Sequence, residues 1–342
     1  MVRSRVLTAQ PPNIGVNPKL LNGEALRQAD MFVRCNFAVP RMPSGFDLVI
    51  PGRAPRWVSV ETLDAFREVE VDMVLECAGN GRTLMDPVPE GAAWLLDGVS
   101  PVSVRGIHLS DLIGPLPEDI VSVVFTGADH GTVPFFGDIP YQFSMSRELA
   151  MSAVPLIVTY INNERLTFDH GGPMRLMVPG HYGMMSVKWL TGIEAVKYPF
   201  RGHFVRKYRF QNDTFEDEGT PVGEIAVRSA ISHPVEGEYV FAGSIDVSGS
   251  AWTGSGEIVK VEVSVDGGEV WLEADIVREQ TAARFAPVQW TIPLEFDPGL
   301  VEIMSRATDS TGATQPLDPR WNTGGYANNV VQRVTFDIAA EH

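Results

Sequence analysis

The stretch V-L-E-C-A-G-N-G-R, from Val74 to Arg82, places a cysteine where an apolar run ends and a glycine-rich loop begins. Cys77 is one of only two cysteines in the 342-residue chain. The small residues after it let a large group approach the backbone, and Arg82 favours the thiolate form that binds metals. A thiolate suits a transition metal better than Mg²⁺ or Ca²⁺. We therefore predict that Cys77 is a metal ligand; the alternative is a small buried apolar side chain.

A second polar stretch, D-H-G-G-P-M-R from Asp169 to Arg175, is typical of a loop that binds an anion. Arginine can hold phosphate through two hydrogen bonds, and glycines expose backbone N–H groups. His170 and Arg175 are the candidate side chains for the anion. The alternative is that the same residues form an ordinary turn with a surface arginine. Further along, Ser186 and Lys188 offer a hydroxyl and an ammonium group in G-M-M-S-V-K-W.

Two more segments place polar side chains beside predicted strands. F-V-R-C-N-F-A-V-P contains Arg34 and Asn36, and F-T-G-A-D-H ends on Asp129 and His130. Together with the preceding loops, they predict a shared site for a phosphate-bearing cofactor. The G-N-G-R loop lacks the remaining glycine of a dinucleotide-binding fingerprint and the G-K-[ST] of a P-loop. No G-x-S-x-G occurs either, so neither nucleotide binding nor serine hydrolysis is favoured.

Composition limits the class of protein. A formal net charge of -16 and a pI near 4.8 argue against nucleic-acid binding, which requires a basic face. A local basic pocket for a small anion is still compatible with this acidic exterior. No apolar run reaches membrane-spanning length, so no membrane partner is expected. The first residues lack an apolar signal segment, and two cysteines suit free thiols, so we expect a cytoplasmic protein, or a periplasmic one if a leader was removed.

The chain divides by texture into three parts. Residues 1–25 predict an irregular N-terminal arm, and residues 26–215 mix short strands with helical pieces. W-V-S-V-E-T-L-D-A-F-R-E-V, for example, predicts a strand leading to a helix. Q-N-D-T-F-E-D-E-G-T-P marks the boundary, and residues 222–342 predict a β-sandwich of immunoglobulin-like type. Alternating runs on either side of Asp266-Gly267-Gly268 predict a β-hairpin within it. The fold class predicted is α+β followed by all-β.

Taken in order, these motifs resemble those of the sulfite oxidase family of molybdenum enzymes, from about Phe32 to the C-terminus. F-V-R-C-N-F-A-V-P is similar to the family's F-V-R-N-H-x-P-V-P, and E-C-A-G-N-G-R is similar to its cysteine loop. D-H-G-G-P-M-R-L-M-V-P-G and G-M-M-S-V-K-W-L resemble its pterin-binding stretches. A-W-T-G-S-G-E-I-V-K-V-E-V-S-V-D-G-G-E-V-W resembles its immunoglobulin-like dimerisation domain.

The resemblance implies a mixed α/β molybdopterin-binding domain and assigns roles to matching positions. Cys77 would be the thiolate ligand of molybdenum, and Arg34 and Arg82 would line an anion pocket. Cys35 stands where the family has asparagine, so it is not expected to be a second metal ligand. The residues implied in molybdopterin binding are Phe32, Val33, Arg34, Cys35, Asn36, Asp129, His170, Arg175, Ser186, Val187 and Lys188.

The chain departs from the family pattern near the implied metal. The family tyrosine should lie at Tyr160 or Thr159, where the chain is one residue shorter than the pattern. Gly324 stands where the animal enzymes have an arginine, and His181 is the candidate to replace part of that positive charge. Val104 occupies the place of an expected tryptophan. With these departures, the chain is more similar to the bacterial branch of the family.

The activity implied is a two-electron oxygen-atom transfer that oxidises sulfite to sulfate. No haem domain is present in this chain, so electrons would pass to a separate acceptor such as a c-type cytochrome. The second domain implies a homodimer. One alternative is reduction of an S-oxide, N-oxide or nitrate by the same centre, and another is a non-catalytic interaction protein that retains the fold.

Overall fold

The computed structural model describes residues 5–211, 219–277 and 284–340. Within those ranges the chain is mostly β, with a few helices of about one turn. No helix in the described part is long and apolar enough to cross a membrane. The strands are β1 Val6–Thr8, β2 Asn13–Ile14, β3 Val33–Arg34, β4 Phe46–Val49, β5 Arg56–Val58, β6 Val69–Glu76, β7 Val99–His108, β8 Ser122–Val133, β9 Gly137–Ser146, β10 Leu156–Ile161, β11 Glu164–Arg165, β12 Arg175–Met177, β13 Leu190–Val196, β14 Arg209–Phe210, β15 Thr220–Pro221, β16 Arg228–His233, β17 Tyr239–Phe241, β18 Gly243–Trp252, β19 Ile258–Ser264, β20 Leu272–Glu273, β21 Asp275–Val277, β22 Val288–Phe296, β23 Gly299–Asp309 and β24 Gln332–Ala339. The α-helices are α1 Val60–Leu63, α2 Leu109–Ile113, α3 Arg147–Met151 and α4 His203–Lys207.

Two five-stranded sheets form the body of the first part. In one, the strand order is β11-β10-β7-β6, and β12 also pairs with β10. In the other, the order is β5-β4-β13-β8-β9, with β13 and β4 parallel. The apolar runs predicted as buried strands form β8 and β10, and Phe125 and Ile157 at their centres are almost fully buried. Continuous apolar runs are expected for strands covered on both faces.

The predicted strand and helix after Trp57 are present, but the helix is short. β5 leads through Ser59 into α1, and the Ser59 and Thr62 side chains form a reciprocal cap. The helix ends at Leu63, although the apolar spacing continued beyond it. A helix of one turn forms few hydrogen bonds, and these do not offset the loss of backbone entropy. Tertiary packing therefore decides how long this helix is.

The N-terminal arm is more ordered than its composition indicated. β1, β2 and β3 form a three-stranded antiparallel sheet, in which Asn13 pairs with Arg34. The partner strand lies about twenty residues along the chain, and local composition cannot reveal such a pairing. The arm therefore supports the segment that carries Arg34.

The C-terminal part is a β-sandwich, hereafter the C-terminal sandwich, as its alternating runs predicted. Its sheets have the orders β16-β18-β22-β21 and β17-β24-β23-β19-β20. Trp290, Val261 and Phe336 are buried in the core between them. The predicted hairpin is present: Val263 of β19 pairs with Leu272 of β20 across the glycine turn. Residues 212–218, at the predicted boundary, lie outside the described residues, so the domain limits stay a prediction.

Candidate active site

Several loops of the first part meet around one cavity of about 690 Å³, including its open mouth. Residues from every predicted site motif contribute to its wall, although they are far apart in the chain. The lining residues are Phe32, Arg34, Cys35, Asn36, Leu75, Cys77, Ala78, Asp129, Tyr141, Asp169, His170, Arg175, Gly183, Met184, Ser186, Lys188 and Tyr208.

Cys77 lies at the wall of this cavity, immediately after β6. Its backbone N–H donates to the Gly98 carbonyl at 2.8 Å, and its carbonyl accepts from the Asn80 N–H at 2.9 Å. The side chain is partly exposed, whereas the other cysteine, Cys35, is buried. The alternative of a thiol sealed among aliphatic side chains therefore does not describe Cys77. A partly exposed thiol in a cavity is free to bind a ligand.

Arg34 presents a cation to the same cavity. Its guanidinium donates to Asn36 Oδ1 at 2.8 Å and to Asn13 Oδ1 at 3.0 Å, so two amide side chains orient it. Burial lowers the pKa of Arg34, but nearby Tyr208 and Cys77 raise it, and the net pKa lies above its ordinary value. Arg34 therefore stays charged. A fixed cation beside a thiol is suited to hold an anion there.

His170 and Arg175, which are both buried, and the partly exposed Lys188 form a basic cluster in another part of the wall. The Arg175 guanidinium donates to the carbonyls of His170 at 2.9 Å and Ser186 at 2.8 Å. Burial lowers the pKa of Arg175 to about 9 and that of His170 to about 4. Burial also lowers the pKa of Lys188. His170 is therefore neutral near pH 7, whereas Arg175 and Lys188, which burial strips of water, favour a nearby negative charge, so this part of the wall fits an anionic group.

Glycine allows the anion loop to approach Lys188. Gly171 has φ +94°, and a Cβ atom there would lie 2.8 Å from the Lys188 Cβ. Lys188 Nζ in turn donates to the Asp169 carbonyl at 2.9 Å and contacts Cys35 Sγ at 3.1 Å. Because only glycine tolerates both constraints, the D-H-G-G motif and the S-V-K-W motif can meet.

Asp129 contributes an acid to the cavity, at a register shift of β8. Its side chain is almost fully buried. Burial raises the pKa of Asp129 to about 6, although Lys188 acts in the opposite direction. A carboxyl group with this pKa exchanges its proton near neutral pH, so it can accept or donate a hydrogen bond to a polar ring.

Two tyrosines that the sequence motifs did not indicate also line the cavity. Tyr141 on β9 donates to the Met184 carbonyl at 2.7 Å. Tyr208 follows α4, forms a hydrogen bond with the Asn36 side chain, and has a pKa raised by burial. Neither tyrosine lies in a recognisable motif, and the basic V-R-K before Tyr208 is the one local signal. Tyr208 therefore presents a protonated hydroxyl group next to Arg34 and Cys77.

Tyr160 lies away from this cavity, which corrects the prediction made for it. It pairs with Arg105 of β7, and Arg105 pairs with Glu70 of β6. Glu70 precedes Cys77 by seven residues, which is about 23 Å along an extended strand. The Arg105 guanidinium stacks over the Tyr160 ring at 3.9 Å. Thr159 lies beside Tyr160 at the same end of the sheet, so neither residue approaches Cys77.

Arg82 does not line the cavity either. Its guanidinium donates to the Gly324 carbonyl at 2.9 Å and to the Ala92 carbonyl at 2.7 Å. It also lies over the ring of Tyr326, 5.5 Å from the centroid. These contacts occupy the guanidinium with backbone acceptors. Arg175 also donates to carbonyls but lines the cavity, whereas Arg82 does not line it, so Arg82 braces the cysteine loop in this structure.

The remaining predicted residues lie around the cavity without forming its wall. Val33 and Val187 are buried in two different hydrophobic clusters and do not line the cavity. Val187 supports the wall through its carbonyl, which accepts from the Leu176 N–H at 2.9 Å. His181 contacts the Pro179 carbonyl at 3.1 Å and forms a β-bridge with Glu224. The structure thus places His181 beside the C-terminal part of the chain and not in the cavity wall.

Comparison with known proteins adds a family assignment to this geometry. Residues 36–204 match the model of an oxidoreductase molybdopterin binding domain, and residues 220–339 match that of a Mo-co oxidoreductase dimerisation domain. Sulfite oxidase of Gallus gallus is 32% identical over 96% of this chain and 77% of its own length. Mitochondrial sulfite oxidase of Macaca fascicularis is 31% identical over 98% of this chain.

Two other comparisons concern coverage and fold. The chain spans 65% of the length of the mitochondrial sulfite oxidases of Mus musculus and Macaca fascicularis. Nitrate reductase [NAD(P)H] of Hordeum vulgare is 28% identical over 91% of this chain and 39% of its own length. The sulfane dehydrogenase SoxCD from Paracoccus pantotrophus has a similar fold, with a TM-score of 0.83 over 99% of this chain and 90% of that one, at 22% identity.

Proposed function

Because the chain belongs to the sulfite oxidase family of molybdopterin oxidoreductases, we propose that it oxidises sulfite to sulfate at a molybdenum centre bound through Cys77. The observation that carries the proposal is the meeting of one accessible thiol, one oriented arginine and a basic cluster in a single cavity. The two electrons released would pass to a separate acceptor, such as a c-type cytochrome.

The residues of the cavity fit the cofactor by their chemistry. A thiolate suits molybdenum. Arg175 and Lys188 suit the pterin phosphate, because desolvated basic groups favour a nearby negative charge, and His170 lies beside them as a neutral imidazole near pH 7. The carboxyl of Asp129 suits the polar edge of a pterin ring. When bound, the cofactor supplies oxygen-atom transfer and a store for two electrons.

The side chains beside Cys77 bind and orient the substrate. Sulfite is an anion and the chain has a net charge of -16, so binding requires a local cation. Arg34 supplies it, and Asn13 and Asn36 hold its guanidinium in place. Tyr208, whose pKa is raised, keeps its proton and can donate a hydrogen bond to a sulfite oxygen. Preorganised donors of this kind lower the cost of charge development at the reacting group.

The test is the metal content and substrate range of protein from a host that makes the cofactor. We expect about one molybdenum per chain, turnover of sulfite with an artificial acceptor, and no turnover of nitrate, S-oxides or N-oxides with reduced viologen. Turnover only in the assay with reduced viologen would favour the alternative that the chain is a reductase, a hypothesis supported by its similarity to nitrate reductase [NAD(P)H] of Hordeum vulgare. A metal-free chain without turnover would favour a non-catalytic interaction protein.

Substitution of the two cysteines tests the assignment of the metal ligand. Cys77→Ser should abolish turnover and remove the thiolate-to-metal absorption. Cys35→Ser should preserve that absorption, because Cys35 contacts Lys188 and is not assigned to the metal. Preserved absorption in Cys77→Ser would exclude Cys77 as the ligand.

The match to a dimerisation-domain model supports a further proposal, that the chain forms a homodimer through residues 222–342. Sedimentation velocity of the whole chain should then give twice the mass of 37.5 kDa. A monomer at micromolar concentration would contradict it.

A further inference from the structure

A buried carboxylate stands next to Cys77 and has no role in the function proposed above. The Glu76 side chain is 1% exposed and lies 3.1 Å from Arg228 Nε, as an ion pair without the geometry of a hydrogen bond. Its other oxygen accepts a hydrogen bond from Trp252 Nε1 at 2.8 Å. Asn80 Nδ2, in the cysteine loop, donates at 3.0 Å to Glu76 Oε1, the oxygen that faces Arg228. A buried charge needs such partners, because desolvation makes an unpaired one costly.

Two of the partners of Glu76, Arg228 and Trp252, come from the C-terminal sandwich. Arg228 opens β16 and Trp252 closes β18, and the two residues pair directly in the sheet. Trp252 is 176 residues from Glu76 in the chain. One edge of the sandwich therefore presents a cation and an indole N–H to the carboxylate that precedes the candidate metal ligand.

The loop after Glu76 is held by the same part of the chain. Ala327 N donates to the Ala78 carbonyl at 2.7 Å, and Asn328 Nδ2 donates to the Gly81 carbonyl at 2.7 Å. Arg228 also donates to the Asn328 carbonyl, so the ion pair and the loop contacts form one network. The stretch from residue 76 to residue 82 is thus fixed at several points along its length.

We propose that Glu76, Arg228 and Trp252 are positioning residues, through which the C-terminal sandwich sets the direction of the Cys77 thiol. The inference rests on the proposed function in that it takes Cys77 as the metal ligand. Glu76 and Cys77 share a planar peptide unit, so displacement of one displaces the other. The second domain then contributes to the metal site as well as to dimerisation.

A simpler account is that the ion pair only stabilises the contact between the two parts of the chain. The two accounts differ at Cys77. A stabilising contact lowers the melting temperature when it is broken but leaves the loop in place. A positioning contact also changes the loop and the ligation of the metal.

The experiment uses Glu76→Gln, Arg228→Gln and the double variant, with Glu262→Gln as a matched control. Glu262 forms an ion pair with Arg306 at 2.9 Å within the sandwich, so its loss tests stability alone. The readouts are hydrogen–deuterium exchange of the peptide covering residues 77–82, and the EPR spectrum of the molybdenum(V) state in the metal-loaded protein. Neither readout depends on turnover.

We expect Glu76→Gln to accelerate exchange of residues 77–82 about tenfold, equal to 1.4 kcal/mol of local opening free energy, because Arg228 keeps its charge without a counterion. The EPR spectrum should change with it. The double variant should reverse most of the change in both readouts, since two amides can pair without net charge; the part that is not reversed reflects the lost bond from Arg228 to the Asn328 carbonyl. Glu262→Gln should lower the melting temperature and change neither readout.

The proposal is overturned if Glu76→Gln lowers the melting temperature while loop exchange and the EPR spectrum match the wild type. If Glu76→Gln does not fold, Trp252→Phe replaces it, because this variant removes one hydrogen bond to Glu76 and keeps an aromatic ring. Its melting temperature, loop exchange and EPR spectrum are then compared with those of the wild type. Absence of molybdenum from the wild-type protein would count against the proposed function instead. The exchange measurement would still test whether the sandwich positions the loop.

Discussion

We expect the charged form of Asp129, which is buried in the wall of the cofactor cavity, to destabilise the folded protein. Burial raises the pKa of Asp129 from 3.8 to about 6. The folded state therefore holds this proton more tightly than the unfolded chain, and the stability contribution of Asp129 falls as the pH rises from 3.8 to 6. The difference between these two pKa values corresponds to about 3 kcal/mol at pH 8, and to about 1.5 kcal/mol at pH 5.

Asp129→Asn removes this cost, because the amide has nearly the same shape and carries no charge. We expect the cofactor-free variant to be more stable than the cofactor-free wild type by about 3 kcal/mol at pH 8, or about 4 °C if the chain unfolds as one unit. The gain should fall to about half at pH 5. The same substitution should weaken retention of the pterin, as is common when a functional group carries a stability cost.

The assay is thermal unfolding of both proteins across pH 5 to 8, with metal and pterin content measured in parallel. His170 titrates in the opposite direction over this range, but it is present in both proteins, so its effect largely cancels from the difference. The reasoning is refuted if Asp129→Asn is destabilising at pH 8, or if the difference between the two proteins does not depend on pH.

Three further predictions concern neighbouring residues. Tyr208→Phe should lower kcat/KM for sulfite about tenfold or more through loss of a hydrogen-bond donor, whereas Tyr160→Phe should leave it unchanged; equal effects in steady-state kinetics would contradict the placement of the two residues. Arg82→Met should lower the melting temperature and leave KM for sulfite almost unchanged, because the guanidinium donates to the Gly324 and Ala92 carbonyls. A rise in KM with an unchanged melting temperature would indicate instead that Arg82 binds the anion. Burial lowers the pKa of His170 to about 4, so His170 lowers the free energy of unfolding as the pH falls below 6.5. His170→Gln should therefore make the free energy of unfolding depend less on pH between pH 6.5 and 4, and an unchanged pH dependence would refute this.

The sequence by itself determined those features that depend on neighbouring residues. The end of the β6 run and the glycines after Cys77 indicated an accessible thiol, and the structure places it at a cavity. Asp169 to Arg175 indicated a loop for an anion, and the alternating runs beyond residue 222 indicated a β-sandwich. Turn chemistry and a two-residue period act over a few residues, so they can be read without knowledge of the fold.

Only the tertiary structure decided which distant side chains meet. Tyr208 lies beside Cys77 because α4 packs near the cavity, while Tyr160 is carried to the far end of the β6 sheet by strand register. Glu76 finds its partner Trp252 across 176 residues, in a different sheet. Such pairings depend on how whole strands are registered and how sheets pack, and the free energy of those contacts is not encoded in any short stretch of sequence.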